Sequence, residues 1–375
     1  MDNASLVANC LTAKQIASDD GFMRLLIFRL SMFVLGLLMI AAMFYMEGRF
    51  LAYHPNARIL LMANNVWILL QSLAYIALLS FDIHRFSQSL PNSCDYLVTA
   101  AASVAVRAPP DIAMYGQCWS MFFLALERSI ATACYKQYEK TTNVLIGWFM
   151  LSVQIVLPFL WIFLMVFDFN WEILKVSCSL VNTKTQNRFL ILMSSMAALE
   201  IFTVLWLLIL YVLNNVRLKM MNSELSRHRL TEKYQICENM RAIAHVFPII
   251  ITHFIFFCGT LVAQPINTYL HANQSAYEFH VQIETLNFLP FYAFALPIVL
   301  FIRNRWEGIE EGLRRVLVKM KIKRPVPEEP DDGQIYFQQL SQQFDRAAMR
   351  AEPKRSEGTL SRFRRVLSNR RSHHV

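Results

Sequence analysis

The chain has 375 residues, of which 55% are hydrophobic and 17% charged, with a mean hydropathy of +0.34 and a formal net charge of +9. Soluble domains carry about 25% charged residues, so a water-exposed globular enzyme of this size does not fit. Ten glycines and 13 prolines supply too little turn chemistry for a β-barrel and its many hairpins. Helices packed in a bilayer are the reading that remains.

Taken in chain order, residues 1–24 hold Asp2, Asp19 and Asp20 and no continuous apolar stretch. They do not match the charged, apolar, small-residue order of a cleavable signal peptide, and are expected to stay as an exterior N-terminus. A hydrocarbon core of about 30 Å takes about 20 apolar residues in a helix. Seven stretches meet that ruler, and together 25–302 reads as an all-α, seven-transmembrane helix bundle. Six are clear: 25–46, 59–80, 143–167, 189–212, 242–263 and 286–302, the last expected to begin a turn or two earlier. In the third, the apolar run from Tyr96 to Ile130 is broken by Arg107, Pro109, Pro110 and Asp111. Its spanning part is expected at 112–130, with a helical extension before it.

After the seventh span, Trp306, Ile309, Leu313, Val316, Leu317 and Met320 share one helical face, with arginines and Lys319 elsewhere. Residues 303–324 therefore read as an amphipathic helix lying on an anionic leaflet. It stops at Pro325 and Pro327, and 325–375 is a cytoplasmic tail too polar to bury a core.

Orientation follows from Lys and Arg, which accumulate on the cytoplasmic side. With the N-terminus outside, 28 of the 36 fall in cytoplasmic segments and 7 in exterior ones; without the long tail the split is 11 against 7. Two glycosylation acceptors, Asn3-Ala4-Ser5 and Asn273-Gln274-Ser275, both fall in exterior segments under that topology. The expected location is the plasma membrane, N-terminus out and C-terminus in.

The third span closes in Ala125-Leu126-Glu127-Arg128-Ser129-Ile130-Ala131-Thr132. A charged pair at a membrane boundary is costly unless paired or hydrated. Glu127 would neutralise Arg128 in a resting state and leave it free to change partners; the plainer reading is a snorkelling interface pair. In the third internal loop, Leu230-Thr231-Glu232-Lys233-Tyr234-Gln235-Ile236-Cys237-Glu238-Asn239 leads into the sixth span. Glu238 or Glu232 could reach Arg128 across the bundle, or the segment could be a solvated helix face. Arg29, Asn64, Asn65, Gln71, Gln154, Glu200, His245 and His253 would be costly facing lipid and should point inward. Among them Glu200 and His253 are the candidates for a ligand or switch role, and Asp111, near the exterior mouth, could pair with a cationic amine.

These two segments, with exterior Pro91-Asn92-Ser93-Cys94-Asp95, resemble the nematode serpentine chemoreceptors of the Sra superfamily, and class AB in particular. The likeness covers about residues 20–320. It implies a G-protein-coupled receptor of chemosensory neurons, with Glu127 and Arg128 at the activation pair and Lys233 where an Arg is common. The seventh span has Leu296-Pro297-Ile298-Val299-Leu300 without the Asn-Pro and Tyr of rhodopsin-type receptors. In such a bundle Cys94 and Cys178 stand where an exterior loop is commonly pinned to the third helix, so that pairing is expected, with Cys10 as the competing partner. The implied partners are a small extracellular ligand, a heterotrimeric G protein and membrane lipid, not nucleic acid.

No cofactor is expected: the cysteines show no zinc spacing, and 286–302 lacks the lysine that a retinal Schiff base needs. An intramembrane hydrolase would want two carboxylates, a Ser/His pair or HExxH in the bundle, and the sequence offers Glu200 without these. The alternative kept open is a transporter or channel, which would favour internal repeats or helices broken by Gly and Pro near the midplane; no repeat is seen.

Overall fold

The computed structural model describes residues 3–46, 54–134, 144–181, 184–223, 230–270 and 275–302. Apolar runs of the lengths above form the long helices: α2 (Asp20–Met46), α3 (Pro55–Ser87), α5 (Leu145–Val166), α6 (Gln186–Ser223) and α7 (Leu230–Leu270). Helix α4 (Ala100–Ala133) is one continuous 34-residue helix with Pro109 and Pro110 inside it, so the expected span and its extension are a single element. Thr99 caps its start by accepting from the Ala102 N–H at 3.3 Å, as N-cap hydroxyls do.

Among the described residues, six helical stretches are long and apolar enough to cross a membrane: α2, α3, α5, α6, α7 and the last stretch, 276–302. Helix α4 is the long helix that is not among them, because its buried face carries Ser103, Asp111, Gln117, Ser120, Glu127, Arg128 and Thr132. It packs against α3, α5 and α6, and Gln117, Arg128 and Thr132 bond to side chains of neighbouring helices. The outward faces of the others expose Phe149, Val156, Phe163, Ile191, Leu205 and Ile209, an apolar surface that water would not tolerate.

The two ends of the described chain add to that reading. Residues 1–24 hold a helix that the sequence reading did not assign: α1 (Asn3–Ala17) buries Cys10, Ala13 and Ile16 at a spacing of three. It packs on the short 3-10 turn Ser93–Tyr96 and on helix α8 (Ala276–Thr285). The last apolar stretch is two helical pieces, α8 and α9 (residues 289–302), separated at 286–288. Asn287 makes the break by accepting the Leu289 N–H at 3.2 Å, and Thr260 of α7 accepts the Phe288 N–H at 3.0 Å. Backbone groups freed inside a bundle must be satisfied this way. Helix α8 begins with a full capping box between Ser275 and Glu278.

Strands β1 (Val98–Thr99) and β2 (Leu174–Lys175) pair antiparallel, Val98 opposite Lys175. They lie at the end of the bundle where α1, the 3-10 turn and α8 gather. The bundle proper comprises residues up to Ser226 and Gln235–Glu311; a second unit holds Arg227–Tyr234 and Gly312–Val375, of which only residues 230–234, the first turn of α7, are described. The expected interfacial helix and tail, 303–375, lie outside the described residues, as does Asn273.

Candidate functional site

Polar side chains gather at three levels of the bundle. At the end where α4 finishes, Arg128 grips Glu127 with both arms, Nε to Oε2 at 2.5 Å and Nη2 to Oε1 at 2.6 Å. Both residues are buried, 4% and 0% exposed, so this is not a snorkelling pair open to water. Arg128 Nη1 also donates to Asn239 Oδ1 of α7 at 3.3 Å. Thr132, one turn on, donates to the Arg128 carbonyl at 2.9 Å and accepts from Asn239 Nδ2 at 2.8 Å and from Asn214 Nδ2 of α6 at 3.0 Å. Arg217 of α6 donates to the Thr132 carbonyl at 2.8 Å. Trp206 of α6 donates to Ser129 Oγ at 2.6 Å. One cluster thus ties α4, α6 and α7 together. The residue on α7 that meets Arg128 is Asn239, with Glu238 beside it and half-buried. Glu232 and Lys233 precede them on the same helix.

At mid-depth, His253 Nδ1 of α7 lies 3.1 Å from Glu200 Oε2 of α6. Cys118 of α4 completes a buried trio whose potential ligand atoms all lie within 4.8 Å of one another. The trio falls between two hydrophobic clusters, with Ala197, Phe257 and Cys118 in one and Met121, Val204 and Ile250 in the other. Phe257 stacks on the His253 ring at 3.7 Å and Tyr292 stands edge-on at 5.3 Å. On the α3 side of α4, Gln117 donates to Gln71 at 2.8 Å. Of the residues expected to point inward, all are buried except His245, which is half-buried.

At the opposite end, Asp111 is already matched to Arg107 of its own helix at 3.2 Å, so a cationic ligand there would compete with an internal guanidinium. Arg29 of α2 pairs with Glu284 of α8. Arg85 of α3 binds Asp82 at 2.8 Å and donates to the carbonyls of Tyr96 and Val176 at 2.9 and 3.2 Å. It thereby clamps the segments on both sides of the β1–β2 pair. Ser103 Oγ and the Ser179 backbone exchange two bonds of 2.9 and 3.1 Å.

The expected Cys94–Cys178 bridge is not formed: Cys94 is bonded to Cys10 of α1. Cys178 is a buried free thiol directed at Asp82, Sγ to Oδ1 3.6 Å. The loop is held to α4 by the strand pair, Arg85 and Ser103 in place of a covalent link, which leaves Cys94 to anchor α1. Nearby, Lys175 donates to the carbonyls of Ser179 and Val181 at 2.9 and 2.6 Å. Loss of solvent pulls its ammonium down to about 8. The same burial, with the Asp82 carboxylate next to it, pushes the Cys178 thiol up to about 12. Asn3 opens α1.

Sequence reasoning missed Arg85, Asp82, Ser103, Cys118, Thr132, Asn214 and Asn239 as members of these clusters. Asn239 was within the segment singled out, one position past the residue chosen. Cys118 carried no signal, since its partners are on other helices.

Apolar helices around buried ion pairs at both ends define a multi-pass helical membrane protein. The chain belongs to the serpentine type 7TM GPCR receptor class ab chemoreceptor family, whose pattern matches residues 7–345. It is 27% identical over 260 residues to serpentine receptor class alpha/beta-14 of Caenorhabditis elegans, a match covering 64% of this chain and 65% of that protein. To serpentine receptor class beta-17 of the same organism it is 23% identical over 232 residues, covering 62% and 63%. The matches therefore span a little less than two thirds of each relative's length. This is a family of receptors and not of enzymes.

Proposed function

We propose that the chain is a seven-span chemosensory receptor, with α4 as the third span and α8–α9 as the seventh, that takes a small ligand from outside and activates a heterotrimeric G protein. The observation that carries this reading is the buried Arg128 cluster. A guanidinium held by its own neighbour Glu127 and by the side-chain amide oxygen of Asn239 on α7 has a second arrangement within reach. Separating α7 from α4 breaks the Asn239 bonds and turns Arg128 toward a partner at that end. A ligand that favours the separated packing shifts the population toward it.

In this reading the coupling surface is Arg128 with Lys233 and Glu238 on α7, and the ligand lies at or above the mid-depth layer of Glu200 and His253, with Asp111 nearer the mouth. Asn3 and Asn273 are the glycosylated positions, and the C-terminal tail is cytoplasmic. The orientation is supported by the distribution of basic residues, and the receptor role by family membership. The test is expression with a G-protein reporter against a panel of volatile and water-soluble odorants. A ligand response is expected from the native chain and not from Arg128→Ala at matched surface level. An intact response in Arg128→Ala would remove Arg128 from the switch.

A further inference from the structure

We propose that Cys118, Glu200 and His253 form a binding site for one soft divalent transition-metal ion, of the zinc class, at the centre of the bundle. The inference goes beyond the receptor reading and does not depend on it, because it is tested by metal content with no signalling step. Three different helices each contribute one residue, and the donors are a thiol, a carboxylate and an imidazole within 4.8 Å of one another. Tetrahedral zinc with bonds of about 2.0–2.3 Å places its ligand atoms about 3.3–3.8 Å apart, so side-chain adjustments of about 1 Å close the set around an ion.

All three residues are at most 1% exposed, and His253 Nε2 has no hydrogen-bond partner among the described residues, while the Cys118 thiol is the neighbour of the Glu200 carboxylate. Burying such an atom unmatched is costly, and packing alone gives no reason to place an acid and an imidazole between two hydrophobic clusters. An ion removes that cost. Binding exchanges the Cys118 S–H bond for a sulfur–metal bond, the proton leaving to bulk water, while the imidazole binds neutral. One thiolate and one carboxylate then balance a 2+ charge, so the site is neutral where an unbalanced charge would be most costly. Thiolate and imidazole ligands select zinc-class ions over magnesium and calcium. Three protein ligands leave a fourth position open, as in zinc sites that take an exogenous ligand. The set is invisible to a search for CxxC or HExxH because its members are far apart in the chain.

The experiment uses the full-length chain, purified in nanodiscs and stripped with chelator, titrated with Co²⁺ as the spectroscopic probe and then with Zn²⁺. One Co²⁺ per chain is expected, with a thiolate-to-cobalt charge-transfer band that Zn²⁺ displaces. Cys118→Ser should abolish the band, and Glu200→Gln and His253→Gln should weaken binding at least about 10-fold, while Cys134→Ser, at an exposed cysteine, leaves it unchanged. Absence of the band in the native chain, or its persistence in Cys118→Ser, would overturn the proposal. Should Cys118→Ser not fold, X-ray absorption of the zinc-loaded native chain decides: a shell with one sulfur neighbour is expected, and a shell of oxygen and nitrogen alone would refute the site.

Discussion

Arg128 and Glu127 depend on each other in a place where neither is tolerable alone. Arg128→Ala removes the guanidinium that grips the buried Glu127 carboxylate with two bonds, a loss of about 3–5 kcal/mol for a broken buried pair. Arg128→Lys keeps a charge but cannot make the two-armed contact, so the thermal midpoint of the purified protein should fall in the order native, Lys, Ala. An Ala variant as stable as the native chain would mean that the pair is solvated. The two residues were legible in the sequence as a pair; their partner on α7 was not. Glu238 and Asn239 are adjacent, and one residue turns a helix face by about 100°. A motif locates the turn of helix that faces Arg128, but only packing fixes which side chain on that turn arrives.

Lys175 and Cys178 give the loop before α6 a pH signature. Lys175 titrates at about 8 when folded against 10.5 unfolded. Between those values the unfolded chain holds the extra proton, so stability rises with pH from about 8. Cys178 acts in the opposite sense: its folded thiol keeps its proton up to about 12 while the unfolded thiol loses it near 9, so stability falls above that pH. The net profile should climb between pH 8 and 9 and flatten beyond, and Cys178→Ser should extend the climb toward 10.5. Hydrogen exchange of residues 168–181 across this range reads it; a native profile falling from pH 8 would contradict the burial of Lys175.

Among the elements, α1 and α4 show best what a linear reading misses. The N-terminal segment carried no helical expectation, because it has no apolar run. Yet Cys10, Ala13 and Ile16 repeat at a spacing that forms a narrow buried stripe, too short to register beside spans of 20 or more residues. The disulfide was misassigned for a related reason: cysteine pairing is set by which elements meet, and α1 meets the turn that holds Cys94. Peptide mapping of the non-reduced protein should return a Cys10–Cys94 linkage, and Cys10→Ser should create a new alkylatable thiol at Cys94 while α1 loosens. A Cys94–Cys178 peptide would reverse the assignment. Within α4, Gly116 lies against the Trp67 ring of α3, where an added Cβ would come within 2.5 Å of the indole. Gly116→Ala should destabilise by about 1–3 kcal/mol through overpacking, with partial rescue by Trp67→Leu. An unchanged midpoint in Gly116→Ala would mean that α3 and α4 are not in this close register.

At the scale of the whole molecule, most of the architecture was written in the apolar runs, because a bilayer leaves few ways to satisfy a backbone. Polar contents inside the runs were also legible, since their exposure to lipid would be costly, but their grouping into three levels was not: Arg29 and Glu284, or Glu200 and His253, meet only after the bundle closes. The break at Asn287 was equally hidden, because it depends on Thr260 accepting from the chain across the helix pair. The proposed topology predicts glycan on Asn3 and Asn273 and a C-terminal epitope reached only after permeabilisation; staining of that epitope on intact cells would invert the bundle.

The central claim is that the Glu127–Arg128 cluster holds a signalling receptor in its resting packing, and Glu127→Gln tests it without a known ligand. The measurement is basal G-protein reporter output at matched surface expression. The account predicts output above the native level in Glu127→Gln, returning to background in the double variant Glu127→Gln/Arg128→Ala. Native basal output from a Glu127→Gln protein that reaches the surface normally would contradict it.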